Sequence, residues 1–269
     1  MSALMESDSG QTGNETRNVF LMKLSVAIIT KNEEKNLPDC LKSVTFADDI
    51  VVVDSGSSDK TVDIAKEFGC RVFIEDWKGY GPQKNSAVDK CKYEWVFLLD
   101  ADERVSIETK ELIVKVLKRP DADAYRFNRK NYLHGKWLKH SGYWPDRQIR
   151  LVNKTKGLFQ SVIHEQWITD GLVQNIDAYI EHYAFSNYSD MLRTLNEYST
   201  IIARELFTSG KRANILSPLY HGIGMFFKIY LVERGFLDGM DGLVTAFTKA
   251  GGSFFKYAKL LELQREEKK

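Results

Sequence analysis

The chain of 269 residues is 43% hydrophobic and 12% aromatic, enough to bury one substantial core, and its 38 Lys and Arg nearly balance 37 Asp and Glu. That balance excludes a self-repelling disordered chain and offers no global attraction to nucleic acid, so partner preference must come from local patches. Cys40, Cys70 and Cys91 lie far apart without Cys-x-x-Cys spacing, which argues against a zinc or redox pair and fits a reducing cytosol.

Residues 1–21 read as a disordered leader, polar and without the apolar stretch of a secretory signal. Residues 24–29 form a β-branched run that stops at Thr30-Lys31-Asn32-Glu33-Glu34, a buried strand entering a polar loop and then a helix whose first turn suits Pro38. A second apolar run, residues 50–53, stops at Asp54-Ser55-Gly56-Ser57-Ser58-Asp59. Val62, Ala65 and Phe68 then carry helical spacing until Gly69. Residues 71–74 make a third strand, 83–90 a helix, and 95–99 a fourth buried strand that runs into Asp100-Ala101-Asp102-Glu103.

Strands alternating with helices predict an α/β fold: a mostly parallel, Rossmann-like sheet flanked by helices, which binds ligands at the carboxyl ends of its strands. Beyond a helix at 107–117 the regularity weakens. Residues 124–128 and 149–152 are short strand candidates around a basic, aromatic loop, and 190–207 has the spacing of an amphipathic helix.

The strongest chemical signal is Asp100-Ala101-Asp102. Asp-x-Asp by itself is a common solvated turn; here it ends a buried strand, where its oxygens can hold Mg²⁺ or Mn²⁺ beneath substrate phosphates. Such a metal stabilises the charge that develops on a departing diphosphate. Asp54, at another strand end, can accept the imide N–H of a uracil, while the small residues after it admit a ribose. The alternative is an ordinary strand-to-helix turn capped by Ser58 or Asp59.

Three segments in order, Leu24-Ser25-Val26-Ala27-Ile28-Ile29-Thr30-Lys31-Asn32-Glu33, Val51-Val52-Val53-Asp54-Ser55-Gly56-Ser57-Ser58-Asp59-Lys60-Thr61 and Leu98-Leu99-Asp100-Ala101-Asp102-Glu103, resemble inverting glycosyltransferase family 2, with the GT-A fold. The resemblance implies a UDP-sugar donor, with Thr30, Glu33, Asp54 and Ser57 near the nucleoside. Lys84, Asn85, Asp100 and Ala101 would lie along the donor, and Asp102 would be the direct metal ligand. Lys84 reads equally as an exposed lysine on a helix's first turn. Gly79-Tyr80-Gly81-Pro82-Gln83-Lys84-Asn85, Asp146-Arg147-Gln148-Ile149-Arg150-Leu151, Val162-Ile163-His164-Glu165 and Gly235-Phe236-Leu237-Asp238-Gly239 resemble the lipopolysaccharide-core β-glucosyltransferase branch. That implies glucose as the sugar and an inner-core lipopolysaccharide acceptor at the cytoplasmic face of the inner membrane. Another glycan, lipid-linked or protein acceptor, or a non-catalytic nucleotide-sugar binder, stays open.

Inverting displacement needs a general base for the acceptor hydroxyl. The Glu-Asp pair that many family members use does not appear after Asp100-Ala101-Asp102 here, so Glu165 is the candidate, with His164 orienting it or serving as a third metal ligand and Asp146 in reserve. Between Arg126 and Lys156, nine basic residues and a single acid, Asp146, mix with Tyr132, Trp137, Tyr143 and Trp144. This loop suits an anionic glycolipid or glycan acceptor better than nucleic acid.

The domain reading places the transferase unit at 22–188 and a helical region at 189–269. The longest uncharged stretch of that region, 213–227, is shorter than the about 20 residues that span a bilayer. Lys228, Arg234, Lys249, Lys256 and Lys259 punctuate an apolar pattern there, which fits helices lying peripherally on an anionic inner membrane, or helices packed on the catalytic unit or in a homo-oligomer.

Overall fold

The computed structural model describes residues 22–160 and 166–267. Its elements in chain order are β1 (Leu24–Thr30), α1 (Leu37–Ser43), β2 (Asp49–Asp54), α2 (Thr61–Glu67), β3 (Arg71–Ile74), α3 (Tyr80–Lys90), β4 (Trp95–Asp100), β5 (Glu103–Val105), α4 (Ile107–Lys118), β6 (Ala124–Leu133), β7 (Lys136–Trp137), β8 (Arg147–Asn153), β9 (Gly157–Gln160), β10 (Gln166–Thr169), β11 (Val173–Phe185), α5 (Tyr188–Thr208), α6 (Ser217–Phe227) and α7 (Met240–Glu266). Pro38 sits in the first turn of α1, as its fixed φ favours.

Among the described residues one sheet runs β3-β2-β1-β4-β8-β6-β11-β5, with β7 paired on β6, and β9 with β10 make a separate ribbon. The first four strands are parallel; β8 then runs antiparallel to both β4 and β6, so the second half is mixed. Side chains alternate across the strands. Val26, Ile28, Val52, Phe97 and Leu99 pack with α1, α2 and α4, whereas Ala27, Val51, Val53, Val96 and Leu98 pack with α3, Phe159 and Trp167. Burial on both faces makes these strands continuous apolar runs and explains why they stand out in the sequence.

Register decides where the polar loops emerge. Thr30 pairs with Asp54 and Ile29 with Asp100, so three strands end together and deliver Thr30, Asp54 and Asp100 to one edge.

The expected helices at 83–90, 107–117 and 190–207 extend as α3, α4 and α5, and α5 is capped by Asn187 Oδ1, which accepts from Asp190 N at 2.9 Å. The expected strand at 124–128 continues to Leu133, and β11, 13 residues long, has no counterpart in the sequence reading. Only Ala178 and Ile180 of β11 are fully buried; its other positions carry Gln, Asn, Asp, Glu and His that blur the alternation. After the sheet, α5, α6 and α7 pack together. Gly222 lets α6 approach α7, since a Cβ there would lie 3.2 Å from Phe254 Cβ.

Candidate active site

The β2–α2 turn is built around Asp54, which is fully buried. Asp54 Oδ1 accepts from Gly56 N at 2.9 Å and Ser57 N at 2.8 Å, and Oδ2 accepts from the Ser57 hydroxyl. Gly56 is needed here for its φ of 81°, not for space. Asn32 joins the turn to the β1 loop: its N–H donates to Ser57 Oγ and its Oδ1 accepts from Ser58 N, both at 2.8 Å. Asp54 therefore first shapes its own loop. Beside it, Thr30 Oγ1 and Ser55 Oγ are buried with no hydrogen-bond partner among the described residues. Leaving such hydroxyls unsatisfied costs about 1–3 kcal/mol each, so this edge is poised for a polar ligand.

The Asp100–Asp102 turn separates its two carboxylates by environment. Asp100 Oδ1 lies 3.0 Å from Lys84 Nζ and Oδ2 is 2.9 Å from Arg150 Nη2. Burial would raise the Asp100 carboxyl, but Lys84, then Arg150 and Arg129, hold it well below the usual carboxylate range. Asp102 faces different company: Oδ2 lies 3.2 Å from His182 Nε2 of β11, and the side chain is 24% exposed. Burial opposes and His182 favours its ionised form, leaving the carboxyl lowered. Glu33 is held above its ordinary value, by burial first and then by the charges of Asp102 and Asp59, although Asn36 Nδ2 donates to it at 2.8 Å.

Behind the turn, eight side chains form a polar circuit that the backbone from Asp100 to Asp102 closes into a ring. Asp100 meets Arg150; Arg150 meets the buried Glu103; Glu103 is 3.4 Å from Arg129; Arg129 Nε donates to Asp146 at 2.8 Å; Asn131 donates to Asp146 at 3.1 Å; Asn131 Oδ1 is 2.6 Å from His182 Nδ1; and His182 returns to Asp102. Asp100 N also donates to Glu103 Oε2 at 3.0 Å, which locks the turn to the ring. Gln148 Nε2 donates to the other oxygen of Asp146 at 2.9 Å. Burial raises the Asp146 carboxyl, and Arg129 together with the hydrogen bonds from Gln148 and Asn131 more than offsets it, so Asp146 is lowered. A carboxylate so fully engaged is a weak proton acceptor.

A divalent cation fits the Asp102 end of this ring. Its carboxylate oxygens are the hard donors that Mg²⁺ and Mn²⁺ accept, the His182 imidazole adds a borderline nitrogen donor, and the hydrogen bond that its Nδ1 donates to Asn131 Oδ1 fixes the ring's orientation. Among the described residues no group of three or more His, Cys, Asp and Glu could hold a metal ion. Two protein donors completed by substrate phosphates are a usual arrangement for such ions. Asp100, with both oxygens on cations, suits ligation less.

The model of the family described as "Glycosyl transferase family 2" matches residues 25–183, from β1 through most of β11. The chain belongs to glycosyl transferase family 2. Its fold is of the GT-A type. This glycosyltransferase is 33% identical to an "Uncharacterized glycosyltransferase" of Rickettsia bellii over 90% of its own chain and 87% of that one. It is 30% identical to "Lipopolysaccharide core biosynthesis glycosyltransferase LpsC" of Rhizobium meliloti, over 90% and 93%. Among solved structures it is similar to S. aureus TarS 1-349 in complex with UDP-GlcNAc, with 17% identity, coverage of 91% and 92%, and a TM-score of 0.45.

In the glycosyltransferase, Thr30, Asp54, Ser57, Lys84, Asp100, Ala101 and Asp102 gather at the carboxyl edge of the parallel strands, with Glu33 beside Asp102. Lys84 is buried, 8% exposed in its side chain, not the exposed lysine of the alternative reading. Asn85 points to the ribbon instead, donating to Phe159 O at 2.9 Å and accepting from Phe159 N at 2.8 Å. His164 and Glu165 lie outside the described residues.

His182, Glu103, Arg129, Asn131 and Arg150 complete the site without having been singled out as site residues in the sequence. For His182 a signal existed: it follows Ala178 and Ile180 at strand spacing, a polar residue on the buried face. Much of the basic loop is consumed internally, for Arg129 and Arg150 serve the ring, Lys154 Nζ donates to Cys91 O at 2.7 Å and Lys136 Nζ to Asp238 O at 3.1 Å. What remains for an acceptor is an aromatic patch: Trp137 meets Trp144 edge-on at 5.2 Å, with Lys130 and Lys139 Nζ at 4.8 and 4.9 Å from the Trp137 ring.

Proposed function

We propose that this glycosyltransferase moves a hexose, glucose in the first instance, from a UDP donor to an inner-core lipopolysaccharide sugar with inversion, in the cytoplasm at the inner membrane face. The observation that carries the reading is the convergence of the Thr30, Asp54 and Asp100–Asp102 loops on one sheet edge, with Asp102 paired to His182 and Asp100 to Lys84. The orphan hydroxyls of Thr30 and Ser55 support a nucleoside beside Asp54.

Asp102 and His182 would hold Mg²⁺ or Mn²⁺, which when bound draws charge from the leaving diphosphate. Lys84 and Arg150 keep Asp100 ionised and the turn in shape, and Lys84 adds positive charge to the floor beneath the phosphates. Glu165 would take the acceptor hydroxyl proton on the opposite face; the commitment of Asp146 to Arg129, Asn131 and Gln148 supports Glu165 over it. The Trp137–Trp144 patch offers faces for the acceptor's rings and cations for its phosphates. Its likeness to LpsC supports the acceptor class.

The test is UDP release with UDP-glucose, Mn²⁺ and purified inner-core lipopolysaccharide. Release that requires all three, and falls at least about a hundredfold in Glu165→Gln with donor binding intact, is expected. Near-normal turnover in that variant eliminates the assigned base. A panel of UDP-sugars in thermal shift, each with and without Mn²⁺, names the donor, because a ligand of the folded state raises its melting temperature.

A further inference from the structure

The helical region turns its charges in two directions. Three acids around its 3-10 turn and the start of α7 face the catalytic unit: buried Asp238 accepts from His140 N and Ser141 Oγ, both at 3.1 Å, and Asp241 accepts from Tyr188 Oη at 2.8 Å. Glu233 follows them, its backbone oxygen taking Ser141 N at 2.9 Å and its side chain lying along Gly142. Two of the lysines expected on a membrane face also point inward. Lys249 Nζ donates to Ser141 O at 2.9 Å and lies 4.0 Å from the Tyr143 ring centre, and Lys259 Nζ donates to Asn196, Ser199 and Thr200 of α5. Lys211, Lys228 and Arg234 are exposed and Lys256 is half-buried, and none of these four forms an ion pair among the described residues. Lys256 and Lys211 are near enough to repel.

The surface between those cations is apolar and continuous. On α6, Leu219, Ile223 and Phe227 recur at four-residue spacing on one face and are 52%, 57% and 53% exposed. On α7, Phe247 is 62% exposed. A groove of about 410 Å³ joins the two helices, and the Phe226 ring within it lies 4.9 Å from Phe247 and 5.5 Å from Tyr230, which extends the patch to Phe236. Contiguous apolar surface on this scale marks an interaction site.

We propose that this face binds a bilayer containing anionic lipid, with α6 and α7 seated among the headgroups and Lys211, Lys228, Arg234 and Lys256 at the level of the phosphates. Charge selects the occupant. A second copy placed face to face would set the same four cations against one another, with Glu233, Asp238 and Asp241 turned inward and Glu267 already paired to Arg212. An anionic lipid surface gives each cation a partner and the Phe and Leu side chains an apolar medium. Among the described residues no helix is long and apolar enough to cross a membrane, so the attachment is to one leaflet. This deepens the inner-membrane location given in the proposed function, and it rests on this surface alone, so failure of the glycosyl-transfer chemistry leaves it intact.

The experiment is co-sedimentation of the full chain with phosphatidylcholine vesicles and with vesicles of equal parts phosphatidylcholine and phosphatidylglycerol. Binding is expected to the mixed vesicles only and to weaken with salt. Lys228→Ala with Arg234→Ala should weaken it about 25-fold, about fivefold per cation, and Leu219→Ser with Phe227→Ser and Phe247→Ser at least tenfold. Circular dichroism melts and the UDP-induced thermal shift should be unchanged in both variants. If the serine variant melts early, the double-alanine variant decides. Equal binding to both vesicle types overturns the proposal, as does a concentration-dependent dimer by light scattering that the same substitutions dissociate. Loss of the UDP shift in the unsubstituted protein counts against the donor reading and leaves the vesicle result to stand by itself.

Discussion

Neutralising the two aspartates of the Asp-x-Asp turn one at a time should give opposite results. Asp100→Asn removes a charge shared by Lys84 at 3.0 Å and Arg150 at 2.9 Å, whose side chains are 8% and 5% exposed. At an effective dielectric of about 20, each contact represents about 5–6 kcal/mol of attraction before desolvation. Removing one partner of a fully buried pair costs about 3–5 kcal/mol net, and the Asp100 side chain is 26% exposed. Glu103 still engages Arg150, so the low end applies: about 3 kcal/mol, or a melting temperature lower by roughly 6–12 °C.

Asp102→Asn gives up a single contact, the one at 3.2 Å to His182, where Asp100→Asn gives up two, and should cost less, about 1 kcal/mol. Its effect falls on turnover. As the carboxylate of the pair that is not held by two cations, it should lower kcat/KM about a hundredfold or more, about 2.7 kcal/mol of transition-state stabilisation. Differential scanning fluorimetry read beside metal-dependent UDP release separates the two variants. The reasoning fails if Asp100→Asn melts with the wild type, or if Asp102→Asn turns over normally in the presence of a chelator.

Glu75, lowered to about 2 by Lys90 first, then Ser86 and Lys78, contributes stability above the ordinary carboxylate value that is lost as pH falls toward 2; Glu75→Gln should flatten that part of an acid melting series. Lys249 is pushed down to about 8 by burial, so the unfolded chain binds the extra proton and stability from this group rises with pH between about 8 and its ordinary 10.5. Lys249→Met should lose that rise, measured as the difference between the two urea midpoints across the range. In Gly242→Ala the new Cβ would sit 1.8 Å from Gly235 O, and the forced shift should cost about 1–3 kcal/mol and loosen the grip of Asp238 on His140 and Ser141, visible as faster hydrogen exchange there.

The parallel half of the sheet is legible in the sequence because β1, β2 and β4 are buried on both faces and punctuated by the loops that carry Thr30, Asp54 and Asp100. Their gathering at one edge follows from that pattern. The second half is not legible, since β11 presents mainly polar side chains, and its pairing with β6 joins segments about fifty residues apart. His182 reaches Asp102 only through that pairing. Arg129 and Arg150 are visible as basic residues, yet nothing local says that they meet Glu103 rather than a ligand. The helical region is legible in part: its apolar periodicity is plain, but the division of its lysines into inward and outward sets depends on Ser141 and on α5, both distant in sequence.

A closed circuit offers two ways round. Because Asp102 reaches Asp146 through His182 and Asn131, and also through Asp100, Arg150, Glu103 and Arg129, cutting one arm leaves the Asp-x-Asp turn tethered by the other. A lesion that removes a neutral link, such as Asn131→Ala, should therefore be cushioned, unlike the loss of charge in Asp100→Asn, while Asn131→Ala combined with Arg129→Ala should be worse than the sum of its parts. Such fault tolerance lets either arm drift in sequence provided the other holds, and a survey that mutates one position at a time will underrate both.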